Sequence, residues 1–240
     1  MLKKLFALFI LSTLTVSASA QIFGWGKKDR HTYVEIRTDY GVCVVKLYNE
    51  TPLHRDNFTK LVKDGTYDGL LFHRVIEQFM IQGGDPESKN AAKGVQLGNG
   101  DLGYKVEAEF RDSLFHKKGA LAAARDDNPE KASSASQFYL VQGKVFTDEE
   151  LDRLEELRLK GRKIPEYQRE VYKTIGGVPH LDQNYTVFGE VVKGIDIIDI
   201  ISGVATDEFD RPVVDQKMQM RVLRRGEARR LEKQLEEGDS

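Results

Sequence analysis

The chain has 240 residues, of which 31% are charged and 40% hydrophobic, and its formal net charge is −2. This length is enough for one domain with a sizeable core, or for a smaller domain with appendages. The lack of a basic excess argues against a nucleic-acid partner. The only cysteine, Cys43, excludes an internal disulfide and a zinc site built from cysteines. No spaced cluster of histidines and carboxylates indicates another metal, so no cofactor is expected.

Residues 1–20 have the pattern of a secretory signal peptide. Two early lysines precede an apolar run from Leu5 to Val16, and Ala18-Ser19-Ala20 is a small-x-small cleavage site. The run is shorter than the roughly 20 residues that span a membrane. We therefore expect export to the periplasm or the medium, a mature chain that begins at Gln21, and no membrane insertion after cleavage. An uncleaved N-terminal anchor is the alternative. Residues 21–30 are expected to be a short leader.

The mature sequence opens with β-strand patterns and one helix. Alternating runs at Thr32–Thr38 and Val42–Tyr48 flank Asp39-Tyr40-Gly41, which is a hairpin signal. Thr51-Pro52 then provides an N-cap residue and a first-turn proline, and Gly65 ends the predicted helix.

Two further strands are predicted between Phe72 and Asp85, with Gly83-Gly84 marking a bulge or a close backbone approach. Alternation predicts Phe72 and Arg74 on one face of the first strand, and Met80 and Gln82 on one face of the second. A guanidinium among apolar side chains needs partners. The stretch therefore suggests an apolar pocket with one fixed cationic donor, although an edge strand with a snorkelling arginine is also compatible.

The remaining core elements complete a β-rich pattern. A polar loop over residues 85–104 precedes a strand that begins near Gly119, a helix is predicted from Gly194 to Ile201, and Val213 to Leu223 has the pattern of a closing strand. Many short strands with two core helices predict a mainly β fold, a closed barrel capped by helices, over residues 31–225.

Two segments fall outside that pattern. Within residues 145–177, Thr147-Asp-Glu-Glu150 is a capping box and Pro165 can start a second helix, which predicts an inserted helical hairpin. Either a solvated decoration or a surface for clients next to the site would fit this segment. Residues 226–240 are expected to form a charged helical tail that is solvated or makes a weak partner contact.

Three motifs together resemble the cyclophilin family of peptidyl-prolyl isomerases. They are Phe-His-Arg…Phe-Met-Ile-Gln-Gly-Gly-Asp at 72–85, Ser136-Gln-Phe, and Val187-Phe-Gly-Glu-Val, in the order that the family has. The resemblance covers Tyr33 to Leu223 apart from the insertion. It implies an eight-stranded antiparallel barrel with a helix at each end, and catalysis of rotation about X-Pro bonds.

The resemblance also assigns site residues. Arg74 matches the catalytic arginine, and Gln82 matches the glutamine that orients the guanidinium and contacts the substrate backbone. The expected walls of the proline pocket are Phe79, Met80, Tyr139 and Leu181, with Gln137 as a second polar contact. His73 and Ala124 also fall within the matched motifs.

Four positions depart from the usual family pattern. Tyr139 stands where phenylalanine is usual, so its hydroxyl must find a partner. His180 replaces a tryptophan of many eukaryotic members, which puts strong binding of cyclosporin in doubt. Arg125 and Tyr185 replace an asparagine and a histidine at the margin of the site. The loop at 85–104, which borders the subsite for residues before the proline, is longer than its typical bacterial counterpart.

Other functions fit less well. Ser136 with His116 or His180 could be called a catalytic triad, but no nucleophile elbow surrounds the serine. The serious alternative is a non-catalytic chaperone or assembly scaffold that binds proline-containing segments. The expected partners are proline-containing peptides and unfolded protein clients, and the chain is expected to be a monomer.

Overall fold

A computed structural model describes residues 30–238 of the chain. The predicted signal peptide and nearly all of the leader lie outside the described residues. All of the described strands and helices belong to one compact unit that begins at His31.

Eight strands form one antiparallel sheet in the order β10-β1-β2-β9-β6-β8-β4-β3. Its strands are β1 (Thr32–Thr38), β2 (Gly41–Leu47), β3 (Phe72–Ile76), β4 (Met80–Gly83), β6 (Ala120–Ala123), β8 (Phe138–Val141), β9 (Val187–Lys193) and β10 (Gln219–Val222). Two short strands outside it, β5 (Lys105–Val106) and β7 (Ser133–Ser134), pair with each other.

The sheet curls until its two edges meet. The Gly69 amide donates to the Met218 carbonyl at 2.9 Å, and the Phe72 amide donates to the Gln216 carbonyl at 2.8 Å. These bonds lie just beside β3 and β10, so the barrel predicted from the sequence is confirmed. The regular closing strand is shorter than the predicted Val213–Leu223.

The interior of the barrel is filled by the inward-facing residues of its strands, which alternate with outward-facing ones. Members of this core include Val34, Ile36, Leu47, Phe72, Ile81, Leu121, Phe138 and Leu140, all nearly inaccessible to solvent. The hairpin of β1 and β2 pairs Thr38 with Gly41, as the turn signal predicted. Alternation within these strands therefore sets which side chains enter the core.

One prediction about β3 was wrong. Phe72 is buried in the barrel core, whereas Arg74 is exposed, so the two do not share a face. The register with β4 shifts between Phe72 and Arg74. Such an irregularity displaces the alternation by one residue, which turns Arg74 outwards and returns Val75 to the core. The close approach expected at the glycines is present, because a Cβ on Gly84 would collide with the Ser136 carbonyl.

Helix α1 (Pro52–Lys63) packs against the barrel through Phe58, Leu61 and Val62. Thr51 occupies the N-cap position, but its side chain makes no capping bond, contrary to the prediction. The cap comes from Glu109 instead. Its carboxylate accepts bonds from the amides of Leu53 and His54, at 3.1 and 3.0 Å. A negative group at a helix N-terminus also interacts favourably with the helix dipole.

The insertion contains α2 (Asp148–Leu157) and α3 (Glu166–Thr174), and the predicted capping box between Thr147 and Glu150 is present. It builds its own small core around Leu151 and Tyr172, into which Phe115 of the barrel domain also packs. Gly177 pairs with both Lys117 and Lys144 at its base. The insertion is thus joined to the barrel by packing and by backbone bonds.

Two helices remain. Helix α4 (Asp196–Ser202) buries Ile197, Ile198 and Ile201 in the barrel core, beginning two residues later than predicted. Helix α5 (Arg225–Gly238) was expected to be solvated or to make a weak partner contact, but Leu231 packs against Tyr33 and Val44 and is only 6% exposed. Within residues 30–238, no helix is long and apolar enough to cross a membrane.

Candidate active site

A cavity of about 260 Å³ opens beside β3, β4 and β8. Ten of the twelve site residues proposed from the sequence line it, namely His73, Arg74, Phe79, Met80, Gln82, Ala124, Arg125, Tyr139, Leu181 and Tyr185. Gln137 lines the adjoining cavity, and His180 lines a groove on the other side. The fold therefore gathers residues from five separate stretches of chain at one place.

Arg74 lies at the mouth of this cavity. Its side chain is 44% exposed, and its Nε atom is 3.5 Å from the Asp210 Oδ2 atom. Arg74 and Gln82 are cross-strand neighbours on β3 and β4. No hydrogen bond joins them among the described residues, and the Gln82 amide instead donates to Gln137 Oε1 at 3.1 Å. The guanidinium is therefore held by Asp210 and not, as predicted, by Gln82.

Gln137 and Asp85 hold the long loop over the site. The Gln137 amide donates to the carbonyls of Gly98 and Gly100, both at 2.9 Å. The buried Asp85 carboxylate accepts bonds from the backbone amides of Gly98, Gly100 and Glu87. These bonds bring Gly98 to the wall of the cavity. Loop 85–104 has little regular structure, so side-chain bonds to its backbone fix its position.

The hydroxyl of Tyr139 finds its partner in a buried chain of hydrogen bonds. It lies 2.9 Å from His116 Nε2, and His116 Nδ1 lies 2.8 Å from Asp182 Oδ1. The Tyr172 hydroxyl of α3 donates to Asp182 Oδ2 at 2.6 Å. Burial raises the pKa of Tyr139 and of Tyr172 well above the usual value, so both hydroxyls keep their protons. Since the Asp182 carboxylate can only accept, Nδ1 is the donor to it, and Nε2 is the ring atom that bonds with the Tyr139 hydroxyl.

Two of the departures from the family pattern contact each other. The Arg125 guanidinium lies 5.0 Å from the centre of the Tyr185 ring, and its Nε donates to the Asn184 carbonyl at 2.8 Å. Tyr185 in turn packs edge-on against Tyr139, with ring centres 6.0 Å apart. A cation over an aromatic face is attracted to it. Arg125, Tyr185 and Tyr139 therefore form one connected wall.

His180 and His73, which border the site, are uncharged at neutral pH. His180 stacks on Phe79 with ring centres 5.9 Å apart, and burial, together with the nearby positive charge of Arg158, lowers the pKa of His180 to about 4. Burial also lowers the pKa of His73 to about 4, in spite of the neighbouring Asp85 carboxylate. The positive charges that line this cavity are therefore those of Arg74 and Arg125.

The serine triad considered from the sequence is excluded by geometry. The Ser136 hydroxyl is buried and has no hydrogen-bond partner in the described part of the chain. His116 is occupied by Tyr139 and Asp182. For residues 30–238, no group of three or more histidine, cysteine or acidic residues has the arrangement of a metal site.

The sequence analysis did not predict several residues of the site. Asp210 reaches Arg74 from a turn far along the chain, and no motif in the sequence marks this position. Leu97, Gly98 and Asn99 belong to the unpatterned loop. His116, Asp182 and Tyr172 carry no motif. The unexplained hydroxyl of Tyr139 was the one signal that a buried partner had to exist.

Comparisons with known proteins agree with this geometry. The sequence model of the family described as cyclophilin type peptidyl-prolyl cis-trans isomerase/CLD matches residues 33–222. A Staphylococcus epidermidis protein with the provisional name peptidyl-prolyl cis-trans isomerase is 34% identical over 189 residues, which cover 78% of this chain and 89% of that protein. A Streptococcus pyogenes protein, provisionally named a bifunctional phosphatase/peptidyl-prolyl cis-trans isomerase, is 36% identical over 187 residues. That match covers 76% of this chain but only 36% of the Streptococcus protein.

Among solved structures, a cyclophilin type peptidyl-prolyl cis-trans isomerase of Cryptosporidium parvum aligns with a TM-score of 0.58 and 20% identity, over 81% of this chain and 98% of the other. A second structure of that protein, in the presence of the dipeptide Ala-Pro, aligns with a TM-score of 0.57 and 19% identity, over 80% of this chain and 99% of the other. At this identity the likeness concerns the fold alone. With the family model spanning the whole barrel, the chain belongs to the cyclophilin-type peptidyl-prolyl cis-trans isomerases.

Proposed function

We propose that this chain accelerates cis-trans rotation of X-Pro bonds in unfolded, exported proteins, with Arg74 as the catalytic residue. The observation that carries the proposal is a cavity with a wall of Phe79, Met80 and Leu181 and a solvent-accessible guanidinium at its mouth, within a domain of the isomerase family. The cavity's volume of about 260 Å³ is larger than the roughly 150 Å³ of a protein cavity that holds benzene. The five-membered pyrrolidine ring is smaller than benzene, so the space suits proline.

The chemistry requires no covalent intermediate. The barrier to rotation, about 18–20 kcal/mol, comes from conjugation of the nitrogen lone pair with the carbonyl. As the bond twists, the lone pair localises on nitrogen, which becomes a better hydrogen-bond acceptor. A donor aimed at that nitrogen stabilises the twisted state more than either planar state, and this difference lowers the barrier. Arg74 supplies such a donor, since its guanidinium is always charged.

Arg74→Ala tests this role. Loss of a donor that acts mainly in the twisted state should lower kcat and kcat/KM together, by about 10²–10³-fold. Stability should hardly change, because the exposed pair with Asp210 is worth at most about 1 kcal/mol. Arg74→Lys should recover only part of the rate, since an ammonium cannot serve two directed contacts as a guanidinium does. The measurement is protease-free exchange NMR on a short X-Pro peptide, with thermal unfolding in parallel.

Asp210→Asn is the matched control, because it removes the ion pair and leaves the guanidinium. Asparagine also tolerates the positive φ of this position. The control should retain most of the rate. Wild-type turnover by a folded Arg74→Ala variant would contradict the isomerase mechanism. The non-catalytic chaperone or scaffold would then be the better explanation, since it needs only the binding cavity.

Export and the nature of the clients are also part of the proposal. The signal-peptide pattern of residues 1–20 supports action in the periplasm or outside the cell. Folding clients there expose X-Pro bonds whose uncatalysed rotation takes tens to hundreds of seconds. We propose that the chain acts on them as a monomer, with no cofactor, because the rotation requires only contacts that one barrel supplies.

A further inference from the structure

A groove lies between the barrel and the insertion, directly beside the proposed proline cavity. Phe146, Leu154 and Arg158 of the insertion form one side, and Phe79, Val178 and His180 form the other, with Gln78, Lys144 and Gly177 at its edges. Its volume is about 240 Å³. Phe79 lines both the groove and the proline cavity, so the two are neighbours on either side of one residue.

The walls of the groove suit an apolar side chain. Phe79, Phe146, Leu154 and Val178 contribute hydrocarbon surface. His180, stacked on Phe79, is neutral because its pKa lies at about 4. The volume exceeds the roughly 150 Å³ of a cavity that accommodates benzene, so an aromatic or large aliphatic side chain fits.

A cation marks one edge of the groove. Leu154 and Arg158 are four residues apart at the end of α2 and its cap, so they lie on the same face. Arg158 has no acidic partner among residues 30–238, although the insertion is rich in carboxylates. Lys144, the other cation, is already paired with Glu150 at 2.8 Å. Arg158 is therefore free to bind a carboxylate from outside the chain.

The groove is pre-formed. The Phe146 amide donates to the Tyr172 carbonyl at 3.1 Å, and the Val178 amide donates to the His116 carbonyl at 2.8 Å. The buried Glu155 ties the insertion together through Arg169 at 3.0 Å and the Ile164 amide at 2.9 Å. Walls held in this way lose little conformational entropy when a ligand binds.

The position of the groove selects its occupant. Gln82 of β4 borders the cavity under loop 85–104, whereas Phe79, in the turn just before β4, borders the groove. A client segment that crosses the proline cavity thus meets the loop on one side and the insertion on the other. The family resemblance implies that loop 85–104 borders the residues before the proline, and the groove on the opposite side then corresponds to those that come after it.

We propose that this groove is a second subsite for the client chain, which binds a large apolar side chain directly after the proline and an acidic residue next to it, at Arg158. The proposal rests on the isomerase function proposed above. It gives the insertion a role in substrate selection that a barrel without it could not have.

Three peptides test the subsite by exchange NMR at varied concentration: Ala-Ala-Pro-Phe-Glu with blocked ends, the same peptide with Ala for Phe, and the same peptide with Lys for Glu. Wild type should prefer the first over the second by about tenfold in kcat/KM, the low end of the gain from burying an aromatic side chain. It should prefer the first over the third by up to about fivefold, as expected for a partly exposed ion pair. Peptides with Phe moved to the position before proline should not show the tenfold gain.

Two variants separate the subsite from other causes. Arg158→Glu should reverse the Glu-over-Lys preference, and Leu154→Ala should reduce the Phe-over-Ala preference. Arg153→Glu, on the same helix but outside the groove, is the matched control and should keep both wild-type ratios. Should Leu154→Ala fail to fold, the exposed Arg158→Glu variant still decides the question.

Equal turnover of all three peptides by wild type overturns the subsite but leaves the isomerase function standing. A charge preference that Arg158→Glu does not reverse, or that Arg153→Glu reverses equally, also overturns it. No turnover of any peptide by the folded wild type refutes the proposed function, and the subsite with it.

Discussion

Replacing Tyr139 by phenylalanine should destabilise this protein and leave its catalysis almost unchanged. The substitution restores the residue usual in the family and keeps the ring that lines the proline cavity. It removes one hydroxyl, which forms a hydrogen bond with His116 Nε2 at 2.9 Å. The expected consequence lies in the free energy of unfolding, because the missing group belongs to a buried chain and not to the reacting surface.

The size of the effect depends on the group that loses its partner. His116 is fully buried, with no exposed side-chain area, so its Nε2 atom has no access to bulk water. A buried donor or acceptor that loses its hydrogen-bond partner costs about 1–3 kcal/mol. Phenylalanine fills nearly the same space, so no sizeable cavity adds to this cost. For a domain of this size each kcal/mol lowers the melting temperature by about 2–4 °C.

The loss in free energy of unfolding is measured by urea denaturation, monitored by far-UV circular dichroism. Exchange NMR on an X-Pro peptide measures kcat/KM, which should stay within about twofold of the wild-type value. Tyr185→Phe is the matched control, because Tyr185 lines the same cavity and its hydroxyl makes no hydrogen bond within the described residues. It should unfold like wild type.

A second substitution tests whether the bonds act as one chain. Tyr172→Phe removes the hydroxyl at the other end, on Asp182. Its cost and that of Tyr139→Phe should not add, because both groups act on the shared His116–Asp182 pair. Wild-type stability of Tyr139→Phe, or an equal loss in Tyr185→Phe, would refute this account of the buried chain.

Two further predictions concern pH and processing. Burial lowers the pKa of His180 to about 4 in the folded protein. In the unfolded chain the same side chain has its usual pKa near 6.5, so as the pH falls it is protonated in the unfolded chain before it is protonated in the folded one. The free energy of unfolding should therefore fall as the pH drops from about 6.5 towards 4 and be flat above that window, and His180→Gln should lessen the slope in urea titrations. An NMR titration midpoint of His180 near 6.5 would contradict this. The mature chain should begin at Gln21, as mass spectrometry of protein from the cell envelope or medium can determine, and a mature species that retains Met1 to Ala20 would show the export prediction to be wrong.

Local patterns in the sequence predicted much of the fold. Alternation identified the first hairpin, because one face of each strand must be buried. The capping box of Thr147 and Glu150 located the start of α2, because both bonds form within four residues. The three family motifs led to residues that line one cavity, although no single stretch contains more than a part of it.

The errors arose where distant groups decide the outcome. Helix α1 is capped by Glu109, more than fifty residues away, and this contact made the local cap of Thr51 unnecessary. Asp210 holds the Arg74 guanidinium from a turn with no strand or helix pattern. The bulge in β3 reversed the predicted face of Arg74, since alternation cannot show where a residue is added to the register.

The insertion and the unusual tyrosine of the cavity turn out to be parts of one arrangement. A hydroxyl at Tyr139 is tolerated because His116 forms a hydrogen bond with it, and His116 is oriented by Asp182. Asp182 has a second oxygen to satisfy, and Tyr172 of α3 satisfies it. A barrel that lost the insertion would keep Tyr139, yet it would leave a buried carboxylate short of one donor. The inserted helices therefore complete the buried hydrogen bonds behind Tyr139, and they also line the groove beside the cavity. A change in the insertion should alter both the stability of the protein and its client preference.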